Sequence, residues 1–137
     1  MTTGKCIKSI LMASFLLLLV FYLGGCAASK KEMLASGAKQ MKTKDLKTFF
    51  TKERTAKVYN AKKNKWYTFV YLPDGSLSRI RHTRVYPRYY YVKHNKVCIK
   101  RRATSHKKVC SYWLKIDDST YYVYGRDGSL SEKQHFQ

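Results

Sequence analysis

Acidic residues are scarce: eight Asp and Glu stand against 28 Lys and Arg in 137 residues, a formal charge of +20. None of the eight lies between Gly75 and Ile116. Asp74, Asp117, Asp118 and Asp127 sit in turn-forming contexts, and no calcium loop of alternating acids ending on Glu is present. Long apolar runs are also rare. The one example, Ile10 to Leu23, has 14 residues and as a helix would rise only ~21 Å against a hydrocarbon core ~30 Å thick. It is too short to span stably. Close Cys–Cys spacing is lacking too, so zinc held by thiols with His82, His94 or His106 is the weaker use of the cysteines. Ser105-His106-Lys107-Lys108 satisfies Ser-x-x-Lys, but the accompanying Ser-Asp-Asn and Lys-Thr-Gly elements are missing. No catalytic constellation stands out in outline. The expectation is a non-enzymatic protein with no cofactor and no metal.

The apolar run begins after Lys5 and Lys8, a positive segment without acids, which is the pattern of an export signal. At its end stands Leu23-Gly24-Gly25-Cys26, which resembles the bacterial lipobox. The resemblance implies cleavage before Cys26 and a diacylglycerol on its thiol. Two or three acyl chains, at ~0.8 kcal/mol per buried methylene, would make the anchorage effectively permanent. The competing expectation is a secretory peptide cleaved near Ala27-Ala28, with Cys26 a bystander. Ala27 stands where lipoproteins retained in the inner membrane carry Asp, which implies a lipid-anchored envelope protein, on the outer membrane facing the periplasm if the host is Gram-negative.

Three segments follow: a signal peptide at 1–25, a lipid-anchored tether at 26–42 and a small β domain at 43–137. Removing the signal takes away two cations and no acid, leaving 26 cations against eight anions over 112 residues. Such an excess attracts anionic partners and opposes compaction. An anionic envelope polymer or lipid phosphate, reached from a membrane held by the anchor, is the expected partner. A partner protein is a second candidate, and nucleic acid a weaker one.

Thr43 is placed to cap a short helix in which Leu46, Phe49 and Phe50 fall on one face. From Arg54 onward the period changes to two, with aromatic and β-branched residues in short runs. Strands are expected near 55–60, 65–72, 76–85, 88–94, 96–102, 107–116, 120–125 and 128–132. Turns fall at Lys62-Lys63-Asn64, Pro73-Asp74-Gly75, His94-Asn95-Lys96, Asp117-Asp118-Ser119 and Arg126-Asp127-Gly128. The fold class is therefore mainly β: a short N-terminal helix plus an antiparallel meander of about eight strands, forming a small barrel or a curved sheet. Trp66 and Trp113 are both expected in its core.

Val70 to Ser78 recurs as Val123 to Ser131 at a constant offset of 53, which predicts two similar hairpins in one sheet. The short helix, the Tyr-rich strands with Asp-Gly-Ser, and a Cys pair a dozen residues apart together resemble a group of small uncharacterised exported bacterial proteins. That resemblance covers roughly residues 43–132 and brings no activity with it.

Cys98 and Cys110 remain as an even pair in an oxidising compartment. If strands 96–102 and 107–113 pair around Ala103-Thr104-Ser105, residues summing to 208 face each other, and Cys98 opposes Cys110 as a disulfide. The same register opposes Lys100 to Lys108 and Arg101 to Lys107, with Arg102 at the tip. Like charges across a ladder are destabilising, so this hairpin is the candidate anion-binding arm, and Arg79, Arg81, Arg84 and Arg88 extend its basic zone. Two alternatives are a small cell-wall or glycan hydrolase, and surface nucleic-acid binding through Tyr86, Tyr89, Tyr90 and Tyr91.

Overall fold

The computed structural model describes residues 28–137; the export signal and Cys26 lie outside the described residues. In chain order the elements are α1 (Lys30–Ala35), β1 (Lys39–Gln40), α2 (Thr43–Phe49), β2 (Arg54–Asn60), β3 (Lys65–Tyr71), β4 (Ser76–Arg81), β5 (Arg84–Lys93), β6 (Lys96–Lys100), β7 (Lys108–Lys115), β8 (Thr120–Tyr124) and β9 (Leu130–Phe136). No helix among the described residues is long and apolar enough to cross a membrane.

Alternation along the strands sets the two faces of the sheet. Ala56 and Val58 on β2 and Tyr67, Phe69 and Tyr71 on β3 are buried, while Lys57 and Trp66 between them are exposed. Each strand from β2 to β9 pairs antiparallel with the next, and β9 returns to β2 with Ala56 opposite Phe136 and Asn60 opposite Glu132. The meander is thus an eight-stranded closed barrel, the closed form of the two the sequence allowed. Closure removes the exposed strand edges that an open sheet would present.

One end of the barrel is plugged by α2. Leu46 is fully buried, and Phe50 packs among Tyr71, Tyr90 and Trp113 with ring centroids 4.9–5.5 Å apart. Phe49 adds edge and tilted contacts to Trp113, Tyr121 and Phe136, arrangements worth something beyond their buried area. The helix begins differently from the expectation. Lys42 is its N-cap, and the Asp45 carboxylate accepts from the Lys42 N–H at 3.0 Å. Thr43 is instead clamped to the β5–β6 turn: its N–H donates to Asn95 Oδ1 at 2.9 Å, and its hydroxyl accepts from the Asn95 N–H at 2.8 Å. This turn has positive φ at both His94 and Asn95, the two-residue form whose twist suits a hairpin.

Ahead of α2 the chain is laid on the outside of the barrel. The Tyr124 hydroxyl donates to the Ala28 carbonyl at 3.0 Å, and the Lys30 N–H donates to the Gly128 carbonyl at 3.2 Å. Met33 and Ala38 pack on an outer cluster of Leu114, Tyr124 and Leu130, and β1 pairs with the end of β7. The stretch read as a tether is therefore, from Ala28 onward, part of the wall, with one helical turn and a half in it.

Several boundaries differ from the sequence expectation. The break between β4 and β5 falls at His82-Thr83, not near Pro87; β5 runs through Pro87, which lies opposite Ser78. The ring fixes a strand-compatible φ and removes a single ladder donor, while His82 takes the turn with φ 55°, a conformation in which His is enriched. The last strand reaches Phe136 instead of stopping at 132, because its second half pairs with both β2 and β8. Trp113 is core, but Trp66 is 64% exposed. It alternates with buried Tyr67 and stacks on Tyr59 outside the barrel, centroids 5.2 Å apart.

The repeated segments form equivalent hairpins. Asp74 Oδ1 accepts from the Ser76 N–H at 2.9 Å and hydroxyl at 2.6 Å; Asp127 Oδ1 accepts from the Ser129 N–H at 3.0 Å and hydroxyl at 2.7 Å. Gly75 and Gly128 both have positive φ. The two copies turn opposite faces to the lumen: Tyr71 and Leu77 belong to the inner core, Tyr124 and Leu130 to the outer cluster.

Candidate functional site

The end opposite α2 is open. Here lie the β2–β3, β4–β5, β6–β7 and β8–β9 connections, and between them a cavity of about 660 Å³ descends into the barrel. Its wall is mostly apolar, with Phe69, Leu77, Val97, Ile99, Trp113 and Val123 projecting inward from five strands. An eight-stranded barrel has an interior that side chains either fill or leave for one small ligand, and this volume lies in the range of ligand pockets.

One wall is polar. At the floor the Tyr71 hydroxyl donates to Gln134 Oε1 at 2.9 Å, and Gln134 Nε2 donates up the strand to Glu132 Oε2 at 2.8 Å. Burial holds the Tyr71 hydroxyl neutral, its pKa well above the ordinary phenol value. Glu132 is reached by solvent through the lumen but surrounded by protein. Desolvation raises its pKa, and the Gln134 donor and the Arg79 charge only partly oppose this. Arg79, also on the wall, lies with its guanidinium carbon 4.1 Å from the Tyr67 ring centroid. Its Nε is buried with no hydrogen-bond partner, a donor left for something else in the lumen.

The mouth is basic. Arg88, Lys100, Arg101, Lys107 and Lys108 border it on one side, Lys62 and Lys63 on another. Desolvation, then the Arg79 and Arg101 charges, lower the pKa of Arg88, as crowding of like charges requires. Of the nine cations expected to bind anions, six therefore line one cavity: Arg88, Lys100, Arg101, Lys107 and Lys108 at its mouth and Arg79 deeper on its wall. Arg81 and Arg84 oppose each other at the end of the β4–β5 hairpin, where Arg81 borders a shallower groove with Trp66 and His82. Arg102 is exposed in the β6–β7 loop and does not line the cavity.

Chain pairing follows the expected register: Cys98 faces Cys110 and Lys100 faces Lys108. The disulfide is formed, with Cα atoms 4.0 Å apart, and it lies on the outer wall. The ladder ends at Lys100–Lys108, so Arg101 does not pair with Lys107, and the loop spans 101–107 instead of three residues. Stacking Arg101 on Lys107 would add a second like-charge pair above the existing one, which disfavours extending the ladder. Tyr91, outside, offers its ring to the Lys100 and Lys108 ammonium groups at 5.4 and 5.9 Å.

No family model, curated protein or solved structure matches the chain.

The tyrosines on β5 do not form one stacking face. Tyr90 is core and donates to the Leu72 carbonyl at 2.6 Å, whereas Tyr89 and Tyr91 lie on the outside. Among the described residues no group of three His, Cys, Asp or Glu is placed to hold a metal. Sequence reasoning missed Lys62, Lys63, Glu132 and Gln134. The first two read as an ordinary turn, and the last two lay in or beyond the expected end of the final strand.

Proposed function

We propose that this chain is a lipid-anchored bacterial envelope protein that binds, without turning it over, an amphiphile with an anionic head. The apolar part of the ligand enters the barrel, and the head is held at the mouth. Convergence of six predicted anion-binding cations on one largely apolar cavity, five of them at its mouth, carries this reading. Arg and Lys supply charge-assisted hydrogen bonds to phosphate or carboxylate, Arg in bidentate fashion. The unpartnered Arg79 Nε offers a deeper donor. Glycan hydrolysis ordinarily uses a pair of carboxyls, and among the described residues Glu132 is the one carboxyl on the cavity wall, which favours binding over turnover. Cys26 is the proposed lipidation site and the outer membrane, facing the periplasm, the proposed location in a Gram-negative host.

The test uses the full chain with Trp66→Phe, which leaves Trp113 on the cavity wall as the sole tryptophan. Dodecyl phosphate should change Trp113 emission saturably, dodecyl maltoside should not, and Ile99→Phe should abolish the response by filling the lumen. Equal responses to both detergents would remove the anionic head from the proposal; no response would remove the lumen. The anchor is tested separately by palmitate-analogue labelling of wild type and Cys26→Ser, and an unlabelled wild type would overturn it.

A further inference from the structure

Three strands that leave open-end turns begin with the same pair of characters: Lys65-Trp66 on β3, Arg84-Val85 on β5 and Lys108-Val109 on β7. Trp66, Val85 and Val109 are 64%, 58% and 70% exposed. Single exposed apolar residues need no explanation, but these three stand around one end of the barrel, each beside a cation, Trp66 on the outer face and Val109 on the lining of the cavity. The turns between them add Lys62, Lys63, Arg101, Arg102, Lys107 and Arg126. Asp127 is the one acid there, and its carboxylate is engaged by Ser129. Asp45, Glu53, Asp74, Asp117 and Asp118 all lie at or beside the plugged end, where they partly offset cations such as Lys42, Lys44, Lys93 and Lys96, whereas the mouth cations face Asp127 and, on the cavity wall, Glu132.

We propose that this rim docks on a bilayer surface of anionic headgroups, with the cavity opening toward the lipid. Lys and Arg would sit among the phosphates within reach of the surface potential. Trp66 would take the interfacial position that tryptophan favours at membrane boundaries, and Val85 and Val109 would add apolar contact. The path of the chain points the same way. Ala28 and Lys30 are bonded to Tyr124 and Gly128, at the open end, and the two residues from Cys26 to Ala28 span at most ~7 Å when extended. An acylated Cys26 would hold the mouth, not the plug, against the membrane. The orientation thus rests in part on the anchor reading, and it gives the proposed ligand a source in the bilayer itself.

Native tryptophans provide the test. Full-length protein is reconstituted into phosphatidylglycerol vesicles with brominated acyl chains, which quench at close range, and wild type is compared with Trp66→Phe. Loss of the Trp66 part of the emission is expected, together with loss of its quenching by aqueous iodide. Trp113, alone in the variant, reports the lumen independently: it is quenched only if an acyl chain enters the barrel, so docking and ligand binding can fail separately. Cys26→Ser reports the anchor, and should still sediment with anionic vesicles at low salt. A Trp66 signal unchanged by bromination overturns the docking face. So does equal quenching in phosphatidylcholine vesicles, which removes the charge selectivity. Protection of the rim by soluble heparin without lipid quenching would assign it to a free polyanion instead.

Discussion

Tyr71, on the third strand, donates its hydroxyl proton to Gln134 Oε1 on the ninth across 2.9 Å at the floor of the cavity. Both side chains are almost fully buried. Tyr71→Phe keeps the ring among Phe50, Tyr90 and Trp113 but strands the Gln134 carbonyl. It should therefore cost ~1–3 kcal/mol, read from denaturant unfolding. An unchanged midpoint would mean that Gln134 has another partner.

The Cys98–Cys110 disulfide closes a segment of sequence separation 12 next to the opposed Lys100–Lys108 pair. On the chain-entropy account a bridge of this size is worth ~3 kcal/mol, so the paired Cys→Ser variant should melt lower by that equivalent. Adding Lys108→Ser should return part of the loss, at most ~1 kcal/mol. If the second change has no effect without the bridge, repulsion is not what the disulfide resists.

Burial first of all raises the Glu132 pKa in the folded protein above its unfolded value near ~4.3. Its folded state is thus favoured while protonated, and that contribution is lost as pH rises from about 4 through the folded value. Glu132→Gln should raise the melting temperature at pH 7 and leave it unchanged below about pH 4. A variant less stable at pH 7 would show that the Arg79 attraction outweighs desolvation.

Neighbouring arginines on one loop should behave differently. Arg101 lines the cavity and Arg102 does not. Arg101→Ser should weaken dodecyl phosphate binding by about fivefold, the equivalent of ~1 kcal/mol for a partly solvated charge. Arg102→Ser should leave it nearly unchanged. Equal losses would point to the overall field of the loop instead of contact at the mouth.

The two equivalent turns should also differ under the same change. Gly75 and Gly128 have φ of +91° and +80°, so alanine is strained at both. At Gly75 a Cβ would also lie 3.2 Å from the Tyr90 carbonyl oxygen, whereas at Gly128 nothing lies within 4 Å. Gly75→Ala should destabilise more than Gly128→Ala in thermal unfolding.

Local features were readable in the chain because they depend on near neighbours. The period-two pattern marks strands whichever partners they find; Asp-Gly-Ser marks a turn through bonds two residues apart; and the hairpin register places Cys98 against Cys110 by arithmetic alone. Trp66 was misplaced because an aromatic residue on a strand is core only if its parity matches the inner face, and that parity was visible in its alternation with Tyr67.

Only the tertiary structure decided that the ninth strand returns to the second. A polar run such as Lys133-Gln134-His135 carries little strand signal, and its pairing is secured by edges more than seventy residues away. That closure turned a curved sheet into a barrel, drew Glu132 and Gln134 into its interior, and brought the β2–β3 turn and the 101–107 loop to one opening. The sequence by itself determined the basic charge, most of the strands, five of the turns and the disulfide, but not the β4–β5 turn at His82-Thr83 or the reach of the last strand. Which charges share a mouth depends on where distant strands end, and that is settled by how the sheet closes.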